Sequence, residues 1–365
     1  MKTREKIYIR GYFCCNLGDD LFLHILAQRY KNTQFILVAD SNAARAFHDE
    51  SNIKVIHNNL FVNFINKLTL KTIHFEIINW FIERLTNASI MIGGSMFQEI
   101  PSTENAILRI KTYPHRKNKT YLIGSNFGPY SSDRYLNEVK SYLSKLNDAC
   151  FRDRYSYSLL CDSTRARYAP DIVFGLKKIY NKNIVKKSGC IISVMNFRDN
   201  ERLQKYAGTY EQYICRCIDY FSKRNIKITL VSLCEDDGDT AAIERISQKY
   251  KDKSINRSYY NGHNWKSIID EFQTSEYVIA TRFHSMILGL EYGSKVLPIV
   301  YNQKTKYVLE DLGLEKWGIS LPNLSESLIS EDCFIEKPDV ECVSAESEAQ
   351  FKALDGLLMN HLNNL

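Results

Sequence analysis

The chain lacks the features that mark membrane-spanning, zinc-binding and nucleic-acid-binding proteins. No stretch approaches the ~20 uninterrupted apolar residues that span a bilayer, and the N-terminal MKTREKIYIRGYF has too short an apolar run for a signal peptide. The ten cysteines form no CxxC pair and no His/Cys cluster at zinc spacing. The basic residues are spread along the chain instead of forming a concentrated face, so nucleic-acid binding is not expected.

The composition is that of an ordinary globular protein. A length of 365 residues predicts two domains, and 44% hydrophobic residues are enough for two cores. The 48 Lys and Arg exceed the 42 Asp and Glu, and the net charge of +6 suits anionic substrates or loose attraction to an anionic membrane. We interpret the cysteines as reduced structural thiols and expect a cytoplasmic protein. A peripheral position at the inner membrane surface stays open.

Short apolar runs alternate with longer amphipathic stretches along the chain. In the first half we predict strands at 6–12, 34–39, 54–57, 89–93, 120–124 and 149–152, and helices at 18–30, 63–85 and 133–146. In the second half we predict strands at 190–195, 227–233, 254–256, 277–281 and 295–301, and helices at 206–223, 239–249, 265–272, 284–292 and 304–312. Such alternation is typical of parallel sheets covered by helices on both faces.

The two series predict an α/β fold of two Rossmann-like, doubly wound domains that face across a cleft, as in the glycosyltransferase B architecture. The lysine-rich segment 177–188 is the expected boundary. We therefore predict an N-terminal domain at 1–178 and a C-terminal domain at 188–322. Residues 323–365 are the expected C-terminal tail and helix. We expect the acidic stretch at 325–347 to be irregular and to end in a helix at 348–362, of the kind that packs back on the first domain in such folds.

The segment 277–313 brings three cationic or protonatable residues to one predicted rim. Arg282 and His284 fall where a strand ends and a helix begins, and Lys304 follows the next strand. Ligands of open parallel sheets bind outside the carboxyl ends of the strands, and a helix N-terminus favours phosphate. Arginine, histidine and lysine together suit a phosphorylated anion. From these residues alone, a structural explanation has equal weight. In it, Arg282 caps the end of the strand and His284 packs at the start of the helix.

The same segment resembles the C-terminal signature of the polysaccharide pyruvyl transferase family, in which Arg-x-His opens a helix and a lysine follows twenty residues after the histidine. His284 and Lys304 keep that spacing. Five further runs resemble the family's motifs in the same order: GYFCCNLGDDLFL at 11–23, MIGGSMFQE at 91–99, GSNFGPY at 124–130, FRDRYS at 151–156 and YAPDIVF at 168–174. The resemblance covers residues 7 to 313.

The resemblance implies a transferase that takes pyruvate from phosphoenolpyruvate and forms a cyclic ketal on a sugar, releasing phosphate. The sugar would belong to a capsule or exopolysaccharide precursor, free or as a lipid-linked oligosaccharide. Phosphoenolpyruvate is then a co-substrate, and neither a cofactor nor a metal is expected. The C-terminal domain would bind the donor and the N-terminal domain the acceptor.

The matching motifs suggest a role for each candidate residue. We assign His284 and Asp19 to acid–base catalysis, and Arg282, Lys304 and Arg152 to binding of the donor anion. Residues expected to contact the acceptor or to allow close backbone approach are Asn16, Gly93, Gly94, Ser95 and Asn126.

Simpler structural explanations exist for several of these residues. Asp19 is also explained as an acid at a helix start, and Arg152 as one half of a surface pair with Asp153. The glycines of the 93–95 turn are also explained by the turn itself. We expect Asp171 to be structural.

Two other functions fit the same fold. A nucleotide-sugar glycosyltransferase would need an acidic residue for the ribose and a glycine-rich diphosphate loop in the second domain. That half has few glycines, and its acidic cluster at 235–237 follows a different strand. A non-catalytic scaffold for polysaccharide assembly would not require Arg282, His284 and Lys304, so their presence favours an enzyme.

Overall fold

The computed structural model describes residues 5–73, 76–114, 116, 119–163, 165–184, 186–250, 254–336 and 339–363. The chain forms two compact units. Unit 1 comprises the described residues of Met1–Phe13, Phe22–Ile172 and Ser344–Leu365, and unit 2 those of Cys14–Leu21 and Val173–Val343. The segment Cys14–Leu21 therefore packs with the C-terminal half, whereas the sequence placed it in the N-terminal domain.

Unit 1 contains a seven-stranded parallel sheet. Its strands are β1 (Lys6–Arg10), β2 (Gln34–Ala39), β3 (Ile53–His57), β4 (Ala88–Ile92), β5 (Thr120–Ser125), β6 (Asp148–Phe151) and β7 (Ala166–Tyr168). The strand order is β3-β2-β1-β4-β5-β6-β7, and every neighbouring pair is parallel. Strands β4, β5 and β6 are buried along their whole length, as expected for a parallel sheet covered on both faces.

The helices before the second sheet are α1 (Leu17–Arg29), α2 (Ser41–Ala44), α3 (Leu60–Ile73), α4 (Ile77–Arg84), α5 (Thr103–Ile110), α6 (Asp133–Leu143), α7 (Arg154–Leu160) and α8 (Leu176–Ile179). Side chains of Ser102, Ser132 and Asp153 cap the N-termini of α5, α6 and α7 by accepting a backbone N–H. Capping of this kind defines where each helix begins after its strand.

Unit 2 contains a six-stranded parallel sheet. Its strands are β8 (Cys190–Ser193), β9 (Ile228–Ser232), β10 (Ile255–Tyr259), β11 (Tyr277–Ala280), β12 (Lys295–Val300) and β13 (Ile319–Ser320), in the order β10-β9-β8-β11-β12-β13. The remaining helices are α9 (Ala207–Ser222), α10 (Asp239–Ser247), α11 (Trp265–Thr274), α12 (Phe283–Glu291), α13 (Gln303–Asp311), α14 (Glu341–Ser347) and α15 (Lys352–Asn363).

Each sheet reverses its direction of winding at one point, between β1 and β4 in unit 1 and between β8 and β11 in unit 2. The prediction of two doubly wound α/β units is confirmed. In such sheets the crevice for a ligand opens at the carboxyl ends of the strands beside this reversal. The chain that follows β4 and β11 is therefore where functional residues are expected.

Several elements differ from the sequence-based expectations. The helix predicted at 63–85 is two helices, α3 and α4; residues 74 and 75 of that prediction lie outside the described residues, as does residue 185 of the 177–188 segment. Strands β7 and β13 and helix α5 were not predicted, and α14 lies in the tail expected to be irregular. Among the described residues, no helix has the length and apolar character needed to cross a bilayer.

Candidate functional site

The central feature of unit 2 is the connection from β11 to α12, beside the reversal of the sheet. The strand YVIA is fully buried, and the chain turns at Thr281 and Arg282 into α12. Two contacts hold the turn: the backbone N–H of Arg282 donates to Ser193 Oγ at 3.2 Å, and the Thr281 hydroxyl lies 3.0 Å from that of Tyr210. The first turn of α12 is thereby held at the end of β8 and β11.

Arg282 forms a buried ion-pair cluster. Its Nε and Nη2 donate to both oxygens of Asp239, at 2.8 and 2.5 Å, and its Nη1 donates to Asp237 Oδ2 at 2.6 Å. Burial alone would lower the pKa of Arg282, but Asp239, Tyr301 and Asp237 together outweigh that effect, so the pKa lies well above its ordinary value. Asp237 and Asp239 already balance the charge of the Arg282 guanidinium. This arrangement therefore does not favour the direct contact that we expected between Arg282 and a donor anion. Arg282 instead ties α10 to the start of α12.

His284 is the second residue of α12 and lies against the backbone of Gly18. A Cβ atom on residue 18 would overlap the imidazole at Nδ1. Gly18 is held in turn, since its N–H donates to Asn16 Oδ1 at 3.1 Å and the N–H of Leu17 donates to the carbonyl of Leu233 at 3.0 Å. The Asn-x-Gly-Asp motif and the Arg-x-His motif are therefore neighbours within unit 2.

Lys304 approaches the same region from α13. Its Nζ stands 5.7 Å from the ring centroid of Phe283, and the Phe283 ring lies 5.0 Å from that of His284. The Asn302 side chain caps α13 by accepting the N–H of Thr305 at 3.1 Å. Lys304 and His284, both half-buried residues, thus lie near the same aromatic ring.

Asp19 and Asp20 have different environments in the first turn of α1. Asp19 is partly exposed and follows Gly18. Asp20 is fully buried; burial raises its pKa well above the ordinary value, an effect that a 2.7 Å hydrogen bond from the Tyr260 hydroxyl only partly offsets. Burial therefore disfavours the charged form of Asp20, and Asp19 is the more exposed of the two acids that follow Gly18.

Unit 1 contains a second cluster, centred on Arg152 at the end of β6. Arg152 is buried; its Nη2 donates to Asn126 Oδ1 at 2.7 Å and its Nη1 to Asp171 Oδ2 at 2.9 Å. The surface pair with Asp153 was the wrong alternative, because the Asp153 carboxylate instead caps α7 by accepting the N–H of Ser156 at 2.7 Å. The charge of Arg152 is compensated inside unit 1, which disfavours its expected role as a direct donor clamp.

The glycine-rich turn after β4 completes this cluster. Gly93 has a positive φ of 138°, a conformation that side chains disfavour. Any Cβ on Gly94 would overlap the Arg152 guanidinium, and the Gly94 carbonyl accepts the N–H of Asn126 at 2.7 Å. Ser95 is partly exposed in the same turn. The absence of a side chain at residue 94 is thus what lets Arg152 reach Asn126.

Comparison with known proteins agrees with this organisation. The sequence model of the polysaccharide pyruvyl transferase family matches residues 16–303. The chain belongs to that family. The match includes the Asn-x-Gly-Asp motif, the 93–95 turn, Arg152, and the Arg282 and His284 turn, and it ends one residue before Lys304.

A curated relative is the amylovoran biosynthesis protein AmsJ of Erwinia amylovora, which is 23% identical over 278 residues, or 67% of this chain. The chain spans only 63% of that protein's length. Among solved structures, the fold is similar to S. aureus MnaA in its co-structure with UDP (TM-score 0.61, 10% identity, 100% of this chain and 98% of that one). It is also similar to the UDP-GlcNAc 2-epimerase from Neisseria meningitidis bound to UDP-GlcNAc (TM-score 0.58, 10% identity, 97% and 100%). At these identities the likeness concerns the fold alone.

Within this member of the pyruvyl transferase family, sequence reasoning missed the partners of both arginines. Asp239 opens α10 and Asp171 follows β7, each far in sequence from the arginine that it binds. In the sequence, Asp239 was the first residue of the predicted helix at 239–249 and Asp171 lay in the run at 168–174, and neither position indicated an arginine partner. Gly18 lay inside a motif that we had identified, but its contact with His284 could not be read from the motif.

The described residues include no group of three or more His, Cys, Asp or Glu side chains arranged to hold a metal ion. All ten cysteines lie in the described part of the chain, and none forms a disulfide there. Burial raises the pKa of Cys15, which precedes Asn16, to about 12, so that thiol is held protonated.

Proposed function

We propose that the chain transfers pyruvate from phosphoenolpyruvate onto a sugar of a surface polysaccharide precursor, forming a cyclic ketal and releasing phosphate. Membership of the pyruvyl transferase family supports the reaction class. The observation that carries the proposal is the placement of His284 in the first turn of α12, against Gly18 and with Lys304 beside the adjoining Phe283. A proton carrier, a cation and the N-terminus of α12 then face one small anion.

The proposed chemistry balances without an oxidant or reductant. The first sugar hydroxyl loses its proton and adds its oxygen to C2 of phosphoenolpyruvate, while C3 receives a proton and becomes the methyl group. The second hydroxyl then attacks C2 as the C2–O bond to phosphate breaks through an oxocarbenium-like state. Phosphate leaves with the electron pair of that bond, and the proton of the second hydroxyl is released.

His284 is the proposed acid–base residue, because an imidazole exchanges protons near neutral pH. Asp19, next to Gly18, is the proposed second acid–base group for a sugar hydroxyl. Lys304 and the first amides of α12 are the proposed binding groups for the donor phosphate and carboxylate. Arg282 acts in this proposal as a positioning residue, since Asp237 and Asp239 already hold its guanidinium.

For the acceptor sugar we propose the region around the 93–95 turn in unit 1. Gly93 and Gly94 are buried and add no side chain to the turn, and Ser95 is the partly exposed residue there. Arg152 and Asn126 support that turn from below through the Gly94 carbonyl and the guanidinium contact. Asn16 holds Gly18 in unit 2 and is proposed as a positioning residue for His284.

The test measures phosphate release from phosphoenolpyruvate with a lipid-linked or free oligosaccharide acceptor, together with mass spectrometry of the acceptor for a pyruvate ketal. His284→Ala should lower kcat about a hundredfold or more, and the exposed His263→Ala is its matched control. Lys304→Ala should raise the Kd for phosphoenolpyruvate, whereas Lys306→Ala on the same helix should not. Near-normal turnover of His284→Ala would disprove the assignment.

A thermal-shift comparison separates the proposal from a nucleotide-sugar enzyme and from a scaffold. Phosphoenolpyruvate should raise the Tm, because a ligand that binds only the folded state stabilises it. UDP-sugars and GDP-sugars should not. Stabilisation by a nucleotide sugar alone would favour a glycosyltransferase, and an absence of turnover with every donor would favour a scaffold.

A further inference from the structure

Two helices of unit 1 expose an apolar surface that the proposed chemistry does not use. On α3, Leu60, Phe61 and Phe64 are 90%, 70% and 64% exposed. We use the name α3–α4 face for the surface that includes Phe61, Phe64, Leu68, Ile77, Trp80 and Phe81. Positions 77, 80 and 81 follow the i, i+3, i+4 spacing of one helix side, so α4 directs an apolar stripe to solvent.

The seam between the two helices is polar. Asn66 Oδ1 accepts the N–H of Ile78 at 3.0 Å, and Asn66 Nδ2 donates to Asn79 Oδ1 at 3.3 Å. Thr69 Oγ1 accepts the N–H of Ile77 at 3.2 Å. Both asparagines are buried while the aromatic side chains are exposed, the inverse of an ordinary surface helix pair. An exposed apolar patch of this kind marks an interaction surface.

Among the described residues of α3 and α4, the exposed charged side chains have one sign. Lys67, Lys71 and Arg84 are exposed on the two helices. Between residues 51 and 87 the acidic residues are Glu76 and Glu83. Glu83 is buried, and Glu76 is paired with Arg10 at 3.2 Å. Aromatic side chains beside exposed lysine and arginine are typical of helices that lie in the interface of an anionic bilayer.

We infer that the α3–α4 face docks the protein on the surface of an anionic phospholipid bilayer. Helix α3 has 14 residues, which gives a length of about 21 Å, short of the ~30 Å hydrocarbon core; the contact is therefore interfacial. A second copy of the chain is the less suitable occupant. A two-fold interface sets a patch against itself, so the three cationic side chains would meet others of the same sign.

Vesicle binding tests the inference independently of turnover. The full chain is mixed with vesicles of phosphatidylcholine and phosphatidylglycerol, and separately with vesicles of phosphatidylcholine alone, and binding is measured by flotation. The chain should partition more strongly onto the phosphatidylglycerol vesicles, and this preference should shrink as salt rises. Equal binding to both vesicles, or no binding to either, would overturn the inference.

Two sets of variants locate the contact. Phe61→Ser with Phe64→Ser should lower the partition coefficient at least about tenfold, because two large apolar side chains no longer enter the lipid. Leu328→Ser, at an 83% exposed position in unit 2, is the control and should bind like the wild type. Since the substituted residues are exposed, the Tm of both proteins should stay close to that of the wild type.

The second set of variants replaces Lys67, Lys71 and Arg84 by glutamine, which removes their charges. At a loss of about fivefold for each cation, the three changes should weaken binding to phosphatidylglycerol vesicles about a hundredfold. The matched control neutralises three exposed lysines elsewhere, Lys223, Lys266 and Lys352, with the same change in net charge. If both triple variants lose the same affinity, net charge alone drives binding and the α3–α4 face is not the docking site.

Trp80 supplies a spectroscopic signal on the face itself. Its emission should shift to the blue and be quenched by brominated lipid in the vesicles. Trp80→Phe should remove that signal with little loss of binding. An unchanged emission in bound protein would overturn the inference. Sedimentation velocity tests the alternative of a dimer. If the wild type is a dimer, and the Phe61 and Phe64 substitutions convert it to a monomer without changing vesicle binding, the inference is also overturned.

Discussion

The imidazole of His284 rests on the backbone of Gly18, at a point where no Cβ atom could fit. Gly18→Ala should therefore displace the imidazole and lower kcat for phosphate release about as far as His284→Ala does, by a hundredfold or more. Gly208→Ala is the matched control, because a Cβ there has nothing within 4 Å, and it should preserve turnover. Full activity of Gly18→Ala would show that the position of His284 does not matter.

The two carboxylates that bind Arg282 differ in exposure: the Asp239 side chain is 0% exposed and that of Asp237 is 51% exposed. Asp239→Asn should lower the free energy of unfolding by about 3 kcal/mol, since it leaves a buried guanidinium undercompensated. Asp237→Asn should cost less than about 1 kcal/mol. Urea unfolding of both variants measures the difference, and equal losses would contradict the asymmetry.

Gly94 and Arg152 form a steric pair in unit 1. Gly94→Ala should lower the free energy of unfolding by about 2 kcal/mol, because the new Cβ pushes the guanidinium away from Asn126 and Asp171. In an Arg152→Ala background the same substitution should cost less than about 1 kcal/mol, since the clash is gone. A double-mutant cycle gives the coupling, and an equal penalty in both backgrounds would rule out the clash.

Glu291 makes the stability of unit 2 depend on pH. Burial raises its pKa from 4.5 to about 8, and the nearby Lys177 only partly opposes this. Between about pH 5 and 8 the folded protein keeps a proton that the unfolded chain has released, so stability falls as pH rises through this window. Glu291→Gln should match the wild type at pH 5 and exceed it at pH 9, by on the order of 4 kcal/mol. Thermal unfolding of both proteins at pH 5 and pH 9 measures the difference. If the wild type and Glu291→Gln differ in Tm by the same amount at both pH values, the prediction is wrong.

Gln350 binds the C-terminal segment into unit 1. Its Oε1 accepts the N–H of Gly124 at 2.9 Å, and its Nε2 donates to the carbonyls of Ala169 and Pro170 at 2.6 and 3.1 Å. Gln350→Ala should lower the free energy of unfolding by about 2–4 kcal/mol, because buried backbone groups lose their partners. The exposed Gln204→Ala is the control. Similar stability of the two variants would mean that the C-terminal contact contributes little.

Local patterns predicted most of the fold. Buried runs such as YVIA of β11 and ASIMI of β4 could be recognised because a covered parallel strand is apolar along its length. The three-residue β7 and two-residue β13 were missed because so short a run carries no periodicity. The 63–85 stretch was merged into one helix since α3 and α4 share the same apolar spacing, and their polar seam depends on which residues face each other.

The order of the motifs along the sequence by itself determined the family, and with it the positions of His284, Lys304 and the 93–95 turn. Tertiary structure alone decided which side chains meet. Asp239 and Asp171 balance the charges of Arg282 and Arg152, and Gly18 joins His284 in unit 2 instead of the N-terminal sheet. The physical reason is that an ion pair or a close backbone contact depends on the distance between atoms in space, and a linear pattern of residue types does not specify that distance.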